Sequence, residues 1–269
     1  MITLSSDFGS PYPGAMRGVL LQSTDARLVD VSHSFPRQDV RGTAFWLKQI
    51  LPYFPPAVHL VVVDPGVGTD RPAIVVRAGE HALVGPDNGV LVPVAREFAD
   101  EFEVFRVAES ESADDDAGPG TRRVPWPPDP ASTTFHGRDV FAPGAAHVHE
   151  AGIDAFEADE AFEPTDEYEE FPFPEPTVRE GYISGTVLVV DDFGNVITNV
   201  PGDAVEDRMG GRVEVNTVRA PVRRTYDEVD PGRRVVTVGS HGNVELAANH
   251  GRGDKTFGVG VDDTVKLTW

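Results

Sequence analysis

The run over residues 58–63, a stretch of apolar and β-branched side chains interrupted only by His59 that stops at Asp64, Pro65 and Gly66, constrains this chain most. A strand with one solvated face alternates polar and apolar residues. A strand with apolar residues on both faces is covered on both, as in parallel sheets flanked by helices. The neighbouring segments fit that architecture. Strand signals at 2–5, 27–31, 73–77 and 81–84 are interleaved with helical patterns. The helices fall at 14–22, at Val40, Ala44, Leu47 and Leu51 behind a capping Asp39, at 90–98 and at 138–150. Residues 1–153 are therefore expected to form an α/β domain with an open, mostly parallel sheet and flanking helices.

Two stretches break the alternation. Residues 109–120 are acidic with Gly and Pro, and 125–130 are proline-rich; both read as loop, and 109–129 as an acidic surface insert. Residues 154–176 are acidic, dotted with Pro and Phe, and are expected to link two domains. Beyond them the period becomes two. Short strands are expected at 182–190, 196–200, 212–218, 233–238 and 265–269, separated by Gly, Asn and Asp. Residues 177–269 therefore read as a smaller all-β, barrel-like domain.

Bulk chemistry excludes several roles. Asp and Glu total 44 against 23 Lys and Arg, a formal charge of −21. Such a field repels nucleic acid phosphates and anionic membranes, so neither is expected as a partner. The only lysines are Lys48, Lys255 and Lys266. An acidic, lysine-poor surface on a foldable chain fits a halophilic protein, whose self-repulsion molar salt screens. The chain has no cysteine, which excludes disulfides, thiolate metal sites and a cysteine nucleophile. No apolar run approaches the roughly 18–20 residues of a membrane span, and no basic, apolar leader precedes the first strand. A cytoplasmic location is expected.

Ligands of open α/β sheets bind outside the carboxyl ends of the strands. Asp7 follows the first strand in Ser6-Asp7-Phe8-Gly9, and His33 follows the second. Asp64 follows the buried third in Asp64-Pro65-Gly66-Val67-Gly68-Thr69-Asp70-Arg71. A carboxylate there is rigidly held and the glycines let a ligand approach; a tight turn capped by Asp64 accounts for the stretch equally well. In Thr134-Phe135-His136-Gly137-Arg138-Asp139 the His stands just before a helix. It reads either as a functional imidazole or as a structural one bonded to a carbonyl. Gly85-Pro86-Asp87-Asn88-Gly89 has turn composition. Asp191-Asp192-Phe193-Gly194-Asn195 reads as a hairpin turn whose exposed aromatic invites stacking. Ser240-His241-Gly242-Asn243 with Glu245 is a turn or a polar recognition loop. No metal constellation emerges: His147 and His149 are two apart on a helix, and neither a His-Glu-x-x-His nor a Gly-x-Ser-x-Gly pattern occurs.

Taken together and in order, these stretches resemble the S-adenosyl-L-methionine (SAM) hydroxide adenosyltransferases, the adenosine-forming SAM hydrolases. The SAM-dependent fluorinating and chlorinating enzymes are their relatives. The resemblance covers essentially the whole chain. It implies an N-terminal α/β domain, a C-terminal barrel-like domain, and a homotrimer with active sites between neighbouring subunits. It also implies that Asp64, Arg71 and His136 activate water, a set the halogenating relatives are not expected to keep. By position, Asp7 would bind the ribose hydroxyls with Phe8 beside it, Phe193 would stack on adenine, and Asn195 would bond its edge. Asp191 and Ser240 would hold the methionine amine and carboxylate. SAM would be the substrate, with no cofactor and no metal.

The expected reaction is hydrolysis of SAM to adenosine and methionine. The rival readings are a halogenase using chloride and a non-catalytic SAM- or adenosine-binding protein. Two departures stand out. The stretch Ser10-Pro11-Tyr12-Pro13-Gly14 is shorter than the family's and lacks its second Asp, and His241 stands where the family often has a basic group.

Overall fold

The computed structural model describes residues 1–108 and 133–269. The loop readings at 109–120, 125–130 and the insert 109–129 fall essentially outside the described residues. The chain divides into two compact units, Met1–Phe171 and Pro172–Trp269.

The first unit begins with β1 (Ile2–Ser6), α1 (Tyr12–Ser23), β2 (Leu28–Ser32), α2 (Val40–Ile50) and β3 (Val58–Val62). Next come β4 (Ala73–Ala78), β5 (His81–Pro86), α3 (Val92–Phe98), β6 (Glu103–Val107), α4 (Ala142–Ala151) and β7 (Phe162–Pro164). Asp39 caps α2 as its sequence predicts, accepting the Gly42 N–H at 2.8 Å. The seven strands lie in the order β2-β1-β3-β5-β4-β6-β7. Pairings from β2 to β5 are parallel; those from β5 through β4 and β6 to β7 are antiparallel. The expectation of a mostly parallel sheet thus holds for one half, and the whole is mixed. The reason is local: Gly79, at φ +57°, and Glu80 turn β4 straight back into β5 without a crossover helix.

As its composition requires, β3 is buried along its whole length between parallel neighbours. Its Leu60 and Val62 pack with Leu4, Met16, Leu20 and Phe141, and truncating such a leucine costs about 2–5 kcal/mol. Part of the acidic stretch 154–176 is in this sheet. Phe156 and Phe162 bury their rings 4.8 Å apart, centroid to centroid, and β7 pairs with β6. Local acidity and proline content hide those two anchors.

The second unit contains β8 (Thr177–Arg179), β9 (Tyr182–Val190), β10 (Val196–Pro201), β11 (Arg212–Val215) and β12 (Val218–Pro221). It continues with β13 (Arg234–Val238), β14 (Asn243–Ala248), a short α5 (Gly253–Phe257) and β15 (Thr264–Thr268). The order is β12-β11-β15-β9-β10-β14-β13, with β8 also on β9. Val222, just past β12, bridges to Val236 of β13 and nearly closes the sheet into a barrel. Inward Val, Leu and Ile side chains from alternate positions fill it. The stretch 212–218, expected as one strand, is a hairpin, because Asn216 takes φ +55° and reverses the chain.

Candidate active site

In the first unit, β1, β2, β3 and β5 end, and β4 begins, at one edge of the sheet. With the order β2-β1-β3, the chain switches direction of winding between β1 and β3, where such sheets form a crevice. Asp7 leaves β1 and Asp64 leaves β3 on either side of that point.

Asp64 and Arg71 are brought together. The guanidinium donates Nε–H to Asp64 Oδ1 at 3.0 Å and Nη2–H to Oδ2, while Nη1 donates to the Pro72 carbonyl at 2.8 Å. The Gly66 N–H adds a bond to Asp64 Oδ1 at 3.1 Å. A forked, two-bond pair of this kind fixes direction as well as charge. Both side chains are largely buried, at 12% and 5% exposed. Burial pushes the Asp64 carboxyl above the ordinary carboxylate range, outweighing the downward pull of Arg71, the Gly66 N–H and His136. The loop packs closely: Gly68 has φ +84°, and a Cβ there would lie 2.9 Å from the Thr133 carbonyl oxygen.

His136 precedes a π-helical turn, Gly137–Phe141, which runs into α4. Such turns are frequent at functional sites, and this one brings Phe141 beneath two of the proposed groups. The Phe141 ring centroid is 5.7 Å from the Arg71 guanidinium carbon, and its face meets His136 edge-on at 6.4 Å. Gly137 is closely packed: a Cβ there would lie 3.0 Å from the Met16 sulfur and 3.2 Å from Val62, and those side chains would have to give way.

Asp7 is held from the neighbouring loop, where Gln38, at the unusual φ of +58°, donates its N–H to Asp7 Oδ2 at 2.6 Å. Phe8, Tyr12 and Phe135 form an edge-to-face trio with centroids 5.5–6.3 Å apart. His33, also singled out from sequence, bonds Ser6 Oγ at 2.8 Å and lies 3.1 Å from Asp30.

In the second unit the turn after β9 closes on itself. Asp191 accepts from the Asn195 main-chain N–H at 2.8 Å and from its Nδ2 at 3.0 Å. Phe193 at the tip is 79% exposed, and Gly194, at φ +85°, faces the Arg252 side chain. Between β13 and β14, Gly239 and Asn243 bracket a tight turn that leaves Ser240 exposed. His241 does not point outward beside it. Its ring folds back, with Nδ1 accepting from Asn243 N–H at 3.2 Å and Nε2 3.3 Å from the buried Glu245 carboxylate. Tyr226 also donates to Glu245, at 2.6 Å, and burial with that carboxylate pushes its phenol up.

Residues 2–157 match the family model of the SAM hydroxide adenosyltransferase N-terminal domain, and residues 185–266 match that of the C-terminal domain. The chain belongs to the SAM hydroxide adenosyltransferase family. A protein named (R)-S-adenosyl-L-methionine hydrolase from Salinispora tropica is 39% identical over 276 residues, covering 99% of this chain and 97% of that protein. One of the same name from Thermus thermophilus is 39% identical over 266 residues, covering 97% of each. Among solved structures, an uncharacterised conserved protein from Thermotoga maritima has a TM-score of 0.80 at 30% identity, covering 100% of both chains. A conserved hypothetical protein from Thermus thermophilus has a TM-score of 0.74 at 34% identity, covering 99% of this chain and 98% of that one.

Within this chain the first unit gathers Asp64 with Arg71, sets His136 against the Phe141 they share, and places Asp7 and Phe8 at the same sheet edge. The second unit joins Asp191 to Asn195 and presents Phe193 and Ser240 on two turns. Sequence reasoning missed Phe141, Tyr12 and Gln38. Only the aromatics left a signal, as large apolar residues adjacent to the motifs. Among the described residues no group of three or more His, Asp and Glu could hold a metal ion.

Proposed function

We propose that this protein hydrolyses SAM to adenosine and L-methionine by attack of water or hydroxide at the ribose C5′. The observation that carries the reading is the buried, two-bond Asp64–Arg71 pair beside His136, in a chain 39% identical to named hydrolases over nearly its whole length. The relatives' name points to the (R) sulfonium epimer as substrate.

In the proposed reaction a new C5′–O bond forms as the C5′–S bond breaks, and the bonding pair leaves with sulfur as a neutral thioether. The leaving group needs no proton, so the work lies with the nucleophile. The His136 imidazole accepts or orients the water's proton, which passes to solvent. Arg71 stabilises hydroxide character, and Asp64 holds Arg71 in place. Asp7 takes the ribose hydroxyls, with Phe8 beside it. Phe193 stacks on adenine, Asn195 bonds its edge, and Asp191 and Ser240 hold the methionine amine and carboxylate. With one Nδ2–H of Asn195 already on Asp191, its carbonyl oxygen and second Nδ2–H are the groups left to read the base. The inward fold of His241 leaves Ser240 as the turn's contact to the carboxylate. No metal or cofactor is needed.

The family resemblance supports a homotrimer with active sites between neighbouring copies, and the charge of −21 with only three lysines, Lys48, Lys255 and Lys266, supports a salt-adapted protein. Among the described residues no helix is long and apolar enough to cross a membrane.

The test is incubation with each SAM epimer in molar KCl and oxygen-18 water, followed by mass spectrometry. Adenosine with one heavy oxygen, together with methionine, is expected. Asp64→Ala, Arg71→Ala and His136→Ala should each lose most turnover while still binding SAM. Wild-type rates in all three would sink the mechanism. 5′-Chloro-5′-deoxyadenosine would favour a halogenase, and tight binding without turnover a sensor.

A further inference from the structure

The Gly85-Pro86-Asp87-Asn88-Gly89 turn at the end of β5 bonds the main chain that flanks the Asp64–Arg71 pair. Asn88 donates Nδ2–H to the carbonyl of Val63, the residue before Asp64, at 2.9 Å. Its Oδ1 accepts from Val90 N–H at 3.2 Å. The two bonds fix the amide's orientation, because exchanging N and O would set donor against donor at Val90 and acceptor against acceptor at Val63. The Asp87 N–H donates to the Pro72 carbonyl at 3.0 Å, and that same carbonyl accepts from Arg71 Nη1 at 2.8 Å. One turn therefore bonds the main chain directly beside both members of the pair, at Val63 and at Pro72.

The turn is itself anchored. The buried Asp87 carboxylate accepts from Glu169 N–H at 2.8 Å. Gly89, at φ +84°, lies so close to the chain that a Cβ would stand 2.9 Å from Phe171 N. Reversing the chain after β5 requires neither the Val63 bond nor the Pro72 bond; both act on the strand ends that carry Asp64 and Arg71.

We infer that Asn88 is a positioning residue for the reaction. By holding the Val63 carbonyl it fixes the main chain from which Asp64 projects, and with it the direction in which Asp64 presents Arg71 to the attacking water. The reaction affected rests on the SAM hydrolase reading; the positioning rests on the hydrogen bonds alone. Asn88 touches none of the groups proposed to bind substrate. Its loss should therefore lower kcat and leave KM nearly unchanged, since a misplacement of order 1 Å can cost about 100-fold.

Asn88→Asp isolates the donor. It keeps the size and the acceptor for Val90 but turns an oxygen toward the Val63 carbonyl. The experiment compares kcat and KM for SAM in the wild type, Asn88→Asp and Asn88→Ala, with melting temperatures and a crystal structure of Asn88→Asp. A kcat lower by about ten- to 100-fold is expected in both variants, with KM within about threefold and the Asp64–Arg71 pair displaced in the crystal. An unchanged kcat in folded Asn88→Asp, or an undisplaced pair, overturns the inference. Should the wild type release no adenosine, the hydrolase reading fails, and the crystal structure still decides the positioning.

Discussion

The guanidinium of Arg71 stands over the ring of Phe141 with its carbon 5.7 Å from the centroid, and the same ring meets His136 edge to face. A cation over a desolvated ring is worth about 0.5–2 kcal/mol. The π-helical turn thus couples the two groups proposed to act on water through one apolar side chain that is 1% exposed. Phe141→Leu should keep the fold at a cost on the order of 1 kcal/mol and reduce kcat roughly tenfold. Steady-state kinetics beside thermal unfolding separate the two effects, and a full-rate variant would contradict the coupling.

Burial holds the Asp64 carboxyl above the ordinary range even with Arg71 attached. Turnover that needs the carboxylate should therefore fall away on the acid side at a higher pH than an unperturbed Asp, near ~3.9, would dictate. Arg71→Gln removes the leading downward influences and should move that limb higher still. The stability sign is opposite. The folded state keeps the proton in a range where the unfolded chain has released it, so this group favours folding as pH falls into that window. A pH profile of kcat with parallel urea titrations distinguishes inactivation from unfolding; coincident acid limbs in the two proteins would count against this role for Asp64.

His59 behaves differently. Fully buried, it bonds Thr3 Oγ1 at 2.8 Å and His81 Nδ1 at 2.9 Å, and stacks with His81 and Phe98. Burial, with His81 adding to it, lowers its pKa to about 3. Above ~6.5 both folded and unfolded states hold it neutral, so it contributes nothing to pH dependence. Below that the unfolded chain takes a proton the fold refuses, and stability declines by up to about 1.4 kcal/mol per pH unit until about pH 3. His59→Gln should flatten the slope of unfolding free energy between pH 6 and 4. A slope that stays the same would show the acid sensitivity to lie elsewhere.

The net charge of −21 makes salt the third variable. The screening length shrinks from about 10 Å at 0.1 M to about 3 Å at 1 M. The melting temperature should rise from low salt to molar KCl, and equally in NaCl if screening is the cause. A flat profile would refute adaptation to salt.

The motifs were legible where chemistry and fold demand the same residue. The 58–63 run announces a doubly covered strand, and the Asp that ends it falls at the sheet's carboxyl edge, where its partner Arg71 also lies. Asp39 announces its helix because capping is a local act. What escaped depends on distant pairing. β7 joins the sheet through Phe162 and β6, contacts that no local period encodes. β14 follows too closely on its turn to stand out as alternation, and Asn216 folds one expected strand into two. His241 sits at the predicted turn, but only the buried Glu245 across it decides that the ring faces inward.

The loop from Asp64 to Arg71 leaves the sheet with β3 and re-enters it with β4 at the same edge, because β4 runs antiparallel to β5. Its two ends are thus a frame built by the sheet, and the residues between them hang from it. The exposed Val67 in the middle of the loop lies outside the hydrogen bonds that tie Gly66 to Asp64, so the frame does not depend on its side chain. The loop's side chains can then vary while the strand ends that carry Asp64 and Arg71 stay where the sheet sets them.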